Sequence, residues 1–153
     1  MMLSPMPKPT DRTSRQAAGA GSAADARWRP EVIVDFVFDE GKFFVAIENL
    51  GDRPAVDVSV RFDRAFRGAG GDRDISSLPL FRNIPFLAPR RRIATFLDTS
   101  AAYFARREPT SLSVAVSYAD PDGTKYQNVI RHDLAIYRDV SYVQTARPSP
   151  RQE

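Results

Sequence analysis

The sequence predicts an all-β fold, an antiparallel sandwich of about seven strands with one short helix in a crossover. Three observations carry the prediction. Apolar side chains recur at every second position through most of the chain, as in Val56, Val58, Val60 and Phe62, or Leu112, Val114, Val116 and Tyr118, which is the period of a half-buried strand. Turn residues punctuate these runs at Asp39-Glu40-Gly41, Asn49-Leu50-Gly51-Asp52-Arg53-Pro54 and Asp120-Pro121-Asp122-Gly123, supplying backbone conformations that regular elements avoid. Proline stays out of the six main runs, as ladder-forming strands require.

Each element can be argued in order. Val32, Val34, Phe36 and Phe38 form the first strand, which stops at the hairpin signal Asp39-Glu40-Gly41. The returning strand, Lys42 to Asn49, places Phe43, Val45 and Ile47 on one side and Phe44, Ala46 and Glu48 on the other. Apolar residues on both faces of these two strands predict an outer side that is covered or binds something. The motif Asn49 to Pro54 then leads into a third strand, Ala55 to Phe62, with Val56, Val58, Val60 and Phe62 on one face.

Residues 63–89 are less regular, with Gly68, Gly70 and Gly71 followed by Ile75, Leu78, Leu80, Phe81, Ile84, Phe86 and Leu87 among Pro79, Pro85 and Pro89. A connection this long and apolar is seldom empty, and it is expected to contain a short strand or extended segment packed along the sandwich. Arg92 to Leu97 reads as the next strand. An Ala-rich run to Arg107 reads as the crossover helix, with Thr99 or Ser100 as its cap, Arg106 and Arg107 at its C-terminal end and Pro109 preventing continuation. Ser111 to Tyr118 shows the clearest in-and-out pattern, and the last strand is expected from about Lys125 to Arg138.

The pattern Asn49-x-Gly51-x-x-x-Ala55-x-x-Val58, then Leu87-Ala88-Pro89 and a strand with Ile93 and Phe96, resembles bacterial immunoglobulin-like sandwiches of the CARDB type. The turn Tyr118-x-Asp120-x-x-Gly123 fits their last hairpin. The resemblance spans roughly residues 42–123 and implies an immunoglobulin-like topology for residues 30–143. It also implies an accessory, spacer or adhesion role defined by packing rather than by a reactive site. Two features depart from the pattern: Arg90 stands where such sandwiches commonly carry Gly after Leu-x-Pro, and the exported proteins of that type carry a signal that is not evident in this sequence.

Outside the sandwich, residues 1–29 form a basic tail rich in Pro, Ala and Ser, and residues 144–153 a second tail; both read as disordered, since neither can bury enough to offset chain entropy. The formal charge of +3 belongs to the N-terminal tail, because residues 31–138 carry 15 basic and 15 acidic side chains. A neutral domain argues against nucleic acid, whose readers gather positive charge on a folded face. Within the domain, residues 31–60 hold seven acids and two bases, while residues 61–92 hold eight bases and three acids. These groups either pair across the surface or steer an acidic partner. Residues 1–29 offer no run of about 7–15 apolar residues as in an export signal, and no segment reaches the roughly 18 of a membrane span. The expectation is a cytoplasmic protein.

Chemistry-bearing residues are sparse. The chain has no cysteine and a single histidine, His132, next to Asp133. Neighbours on a strand point to opposite faces, so this pair does not make a base with its orienter, and no nucleophile motif accompanies it. Asp72 with Asp74, and Asp120 with Asp122, fall short of the six or more oxygens that calcium takes. No metal or cofactor is expected, and the chain reads as non-enzymatic. The expected binding segment comprises Leu80, Phe81, Arg82 and Phe86, with Arg90 and Arg92 beside it, facing a protein partner whose acidic groups would suit the arginines. A small-ligand or carbohydrate-binding role through Tyr118, Tyr126 and Tyr137 is the alternative.

Overall fold

The computed structural model describes residues 28–140; the expected tails therefore lie outside the described residues, apart from Trp28 and Arg29. Seven strands build two sheets. One is three-stranded, with β1 (Val32–Asp39), β2 (Lys42–Asn49) and β7 (Arg92–Thr99) in the order β1-β2-β7; the other is four-stranded, in the order β6-β3-β8-β9. Its members are β3 (Ala55–Phe62), β6 (Ile84–Leu87), β8 (Ser111–Ala119) and β9 (Lys125–Asp133). All pairings are antiparallel. This is an immunoglobulin-like sandwich in which the strand between the third and fifth, β6, joins the second sheet.

The β1–β2 hairpin turns through Glu40 and Gly41, whose φ values of 49° and 75° are the left-handed pair that matches the twist of the flanking strands. The following motif is built around buried Asn49. Its side-chain amide donates to the carbonyls of Arg53 (2.8 Å) and Leu87 (3.3 Å), and its Oδ1 accepts the amides of Glu31 (3.1 Å) and Gly51 (3.0 Å). One side chain thus ties the entry of β1, the β2–β3 turn and the end of β6. Gly51 has no room for a side chain, since a Cβ there would lie 2.0 Å from the carbonyl oxygen of Arg29.

Between the sheets, Val34, Phe36, Phe43, Val45, Val58, Leu97, Val114 and Val116 form a continuous core. The alternation of β3 is broken, however. Asp57 has φ 51°, and the register with β8 shifts between Val56 and Ser59. This bulge puts Ala55 and Val58 inside and leaves Val56 half-buried, opposite exposed Phe86; Val56 does not share the core face with Val58 and Val60.

The segment 63–89 contributes more than an extended cover. It holds a two-rung hairpin of β4 (Arg67–Gly68) and β5 (Arg73–Asp74), a helical turn α1 (Pro79–Arg82) and β6. Pro79 opens α1, a position where its fixed φ suits a helix and its missing N–H costs nothing, so Leu78 to Phe86 is not extended throughout. Phe66, Ile75, Phe81, Ile84 and Leu87 all enter the core.

The crossover helix, α2 (Ser100–Ala105), is capped by Thr99, whose hydroxyl accepts the amide of Ala102 (3.1 Å). Arg106 donates to the Ala102 carbonyl (2.9 Å) and pairs with buried Asp98 (2.8 Å). The Tyr103 hydroxyl donates to the Pro109 carbonyl, and burial pushes its pKa up. β9 ends at Asp133 rather than Arg138, because the Asp133 carboxylate accepts the amide of Ala135 (3.0 Å) and starts a 3-10 turn over Leu134–Tyr137.

Candidate functional site

The residues of the expected binding segment do not form one surface. Phe81 is 1% exposed, edge-on to Phe62 at 4.9 Å, and Leu80 packs beside it. Arg82 is exposed in the last turn of α1. Phe86 is 59% exposed on the outer face of the four-stranded sheet. Arg90 lies in the turn before β7 and donates through Nε (3.0 Å) and Nη2 (2.6 Å) to Asp52 Oδ1. Arg92 is on the outer face of the three-stranded sheet, 4.0 Å from Glu48. Both arginines therefore face acids of the 31–60 segment.

The other singled-out groups have structural partners. His132 Nε2 lies 2.9 Å from the Val34 carbonyl oxygen, with its ring edge-on to Phe36 at 5.1 Å. The Asn128 amide donates to the carbonyl of Val32 (3.3 Å) and to the Tyr118 hydroxyl (3.0 Å). Together they close the sandwich between β9 and β1. Tyr118 and Tyr126 are not exposed platforms: they stack on each other at 5.5 Å, and the Tyr126 hydroxyl donates to Asp120 Oδ2 (3.2 Å). Burial, reinforced by the Asp120 carboxylate, raises the Tyr126 pKa. Tyr137 stacks on Phe38 at 5.5 Å.

Asp120 is itself buried. Its Oδ1 accepts the amides of Asp122 (2.9 Å) and Thr124 (3.0 Å), and Arg53 spans Asp120 (3.3 Å) and Asp122 (2.6 Å). Burial pushes the carboxyl up, but the bonds from Thr124, Tyr126 and Asp122 and the charge of Arg53 outweigh it and hold the pKa below the ordinary aspartate value. Asp74 is held low chiefly by the hydroxyl of Ser76, which donates to it at 2.6 Å. Among the described residues no group of three or more acids and histidines is placed to hold a metal. Nor is any described helix long and apolar enough to cross a membrane.

Two outer surfaces are left with unused side chains. On the three-stranded sheet, register places Ile33, Asp35 and Val37 beside Glu48, Ala46 and Phe44, and these beside Arg92, Ala94 and Phe96. Phe44 meets Phe96 edge-on at 5.8 Å, and Phe96 is 43% exposed. The centre of this face is apolar, and a charged pair lies at one end. On the four-stranded sheet, a cleft of about 550 Å³ is lined by Asp57, Ser117, Tyr118, Ala119, Lys125, Tyr126 and Gln127. The bulge at Asp57 forms one side of it. The first surface had a sequence signal, the two-sided apolarity of β1 and β2. The second had none, because nothing in the alternation around Asp57 marks a left-handed residue.

No curated protein matches the chain. A family model matches most of the sequence and all seven strands of the sandwich. The chain belongs to the family described as a domain of unknown function (DUF8453), which matches residues 11–138.

Proposed function

We infer that this chain is a non-enzymatic sandwich module that mediates protein contact through the outer face of its three-stranded sheet. The observation that supports the reading is the apolar face on which Phe96 stands 43% exposed, with half-buried Ile33, Val37 and Phe44 around Ala46 and Ala94. An apolar centre with a polar rim is the anatomy of a protein interface. Asp35 on the face, with Glu31, Asp39 and Glu40 near its ends, favours a partner that brings basic groups around an apolar anchor. The test compares the native chain with Phe96→Asp and Phe44→Asp in affinity capture read by mass spectrometry. Phe96→Asp should keep the thermal midpoint within a few degrees, as surface changes do, circular dichroism should report the fold of Phe44→Asp, whose side chain is half-buried, and both should lose a partner that an Arg61→Asp variant on the other sheet retains. A partner retained by the Phe variants refutes this assignment.

The cleft beside Asp57 favours a second reading, binding of a small polar ligand, because its volume lies in the range of ligand sites and it offers a carboxylate, an ammonium, a hydroxyl and a carboxamide. Titration with an oligosaccharide panel, followed by amide shifts at Asp57, Ser117 and Gln127, separates the two readings.

A further inference from the structure

The two sheets end in four edge strands, and three are blunted. β6 is four residues long and contains Pro85. β1 turns the carbonyls of Val32 and Val34 to the side chains of Asn128 and His132. β7 is covered at its C-terminal end by β4, where a Cβ on Gly68 would lie 2.0 Å from the Leu97 carbonyl oxygen. Natural proteins use such devices to stop strands from pairing with other chains.

β9 has none of them. Its nine residues pair one-to-one with β8 from Asp133↔Ser111 to Lys125↔Ala119, without bulge, proline or glycine. At the two ends of this ladder, Asp120 N donates to Thr124 O (2.9 Å) and Leu134 N to Thr110 O (2.7 Å). Hydrogen-bonded pairs alternate along an antiparallel ladder. Tyr126, Asn128, Ile130 and His132 therefore bond to β8, while Lys125, Gln127, Val129, Arg131 and Asp133 turn their N–H and C=O groups to the open edge. Among the described residues no element pairs with that edge.

We propose that the occupant is a second copy of this chain, with β9 pairing antiparallel to β9 of the copy about a two-fold axis at Val129. The five edge-facing residues are symmetric about Val129, so each meets an edge-facing residue and the backbone bonds close in pairs. In this register Lys125 stands opposite Asp133 of the second copy, Gln127 opposite its Arg131, and Val129 opposite itself. Val129 is 65% exposed in the single chain. Lys125, Arg131 and Asp133 take part in none of the ion pairs among the described residues, which use Arg53, Arg90, Arg92 and Arg106. Charge selects the register: an axis at Arg131 would set two arginines against each other, and an axis at Gln127 would run Arg131 into the turn at Gly123. The pairing fuses the two four-stranded sheets into one. It also brings Arg131 and Asp133 of the second copy beside Lys125 and Gln127, the wall of the cleft at Asp57.

Sedimentation equilibrium of the full chain should give a concentration-dependent dimer. Lys125→Asp places like charges together twice and should weaken it about tenfold, whereas Lys125→Asp combined with Asp133→Lys should restore it, with circular dichroism reporting the fold of each. Because the chain lacks cysteine, Val129→Cys should yield a disulfide-linked dimer on oxidation, as facing hydrogen-bonded residues lie about 5.5 Å apart. Gln127→Cys should not. A monomer at every concentration overturns the proposal. So does a dimer indifferent to Lys125→Asp, one abolished by Phe96→Asp alone, or one cross-linked as readily at position 127 as at 129.

Discussion

Arg90 is a non-glycine residue held in a backbone conformation that suits glycine. Its φ of 62° is in the left-handed region that glycine adopts without cost. The arginine offsets that strain with its two bonds to Asp52, an exposed ion pair worth at most about 1 kcal/mol. Arg90→Ala keeps the strained backbone and loses the pair, so thermal unfolding should show a loss of about 1 kcal/mol. Arg90→Gly loses the pair but also the strain, and should unfold close to the native chain. Equal losses in the two variants would mean that the backbone at this position carries no strain. Asn49 shows the opposite case, a residue whose role was legible at once as a turn former and whose reach was not. Its bonds to Glu31 and Leu87 connect segments 18 and 38 residues away, and no local pattern encodes such distances.

At the scale of elements, the regular strands were readable because a single period governs them: β1, β2, β8 and the start of β9 lie where the alternation of Val, Phe and Leu places them. The bulge in β3 was hidden, since Val56 continues the alternation in sequence while Asp57 breaks it in space. The segment 63–89 was readable as apolar and as holding a short packed strand, which β6 is, but not as holding a hairpin and a helical turn. Its prolines suit both an extended chain and the first turn of a helix, and only the core contacts of Phe81 decide between them. That contact set makes Phe81 part of the scaffold. Phe81→Ala should destabilise the domain by about 3–5 kcal/mol, the cost of emptying an aromatic core site, as measured by urea denaturation. A loss below about 1 kcal/mol would return Phe81 to the surface and reinstate it as a candidate anchor.

For the whole molecule, the two sheets are held in register at their ends by polar side chains rather than by the core alone. His132 and Asn128 join β9 to β1 along the side, and Arg53 joins the β2–β3 turn to the β8–β9 turn through Asp120 and Asp122. The second junction makes stability depend on pH. The Asp120 carboxyl titrates lower in the folded chain than in the unfolded one, where its pKa is about 3.9. The unfolded chain therefore binds its proton first as pH falls, and the stabilisation is fully present above the unfolded value and lost as pH drops through the folded one. Asp120→Asn should lower the thermal midpoint at neutral pH, because Arg53 and the amides of Asp122 and Thr124 lose a charged acceptor. The gap between variant and native chain should narrow below about pH 4 and close as the native carboxyl protonates. A gap that stays constant from neutral pH into acid would show that Asp120 acts by shape alone and that its charge does not hold the two turns together.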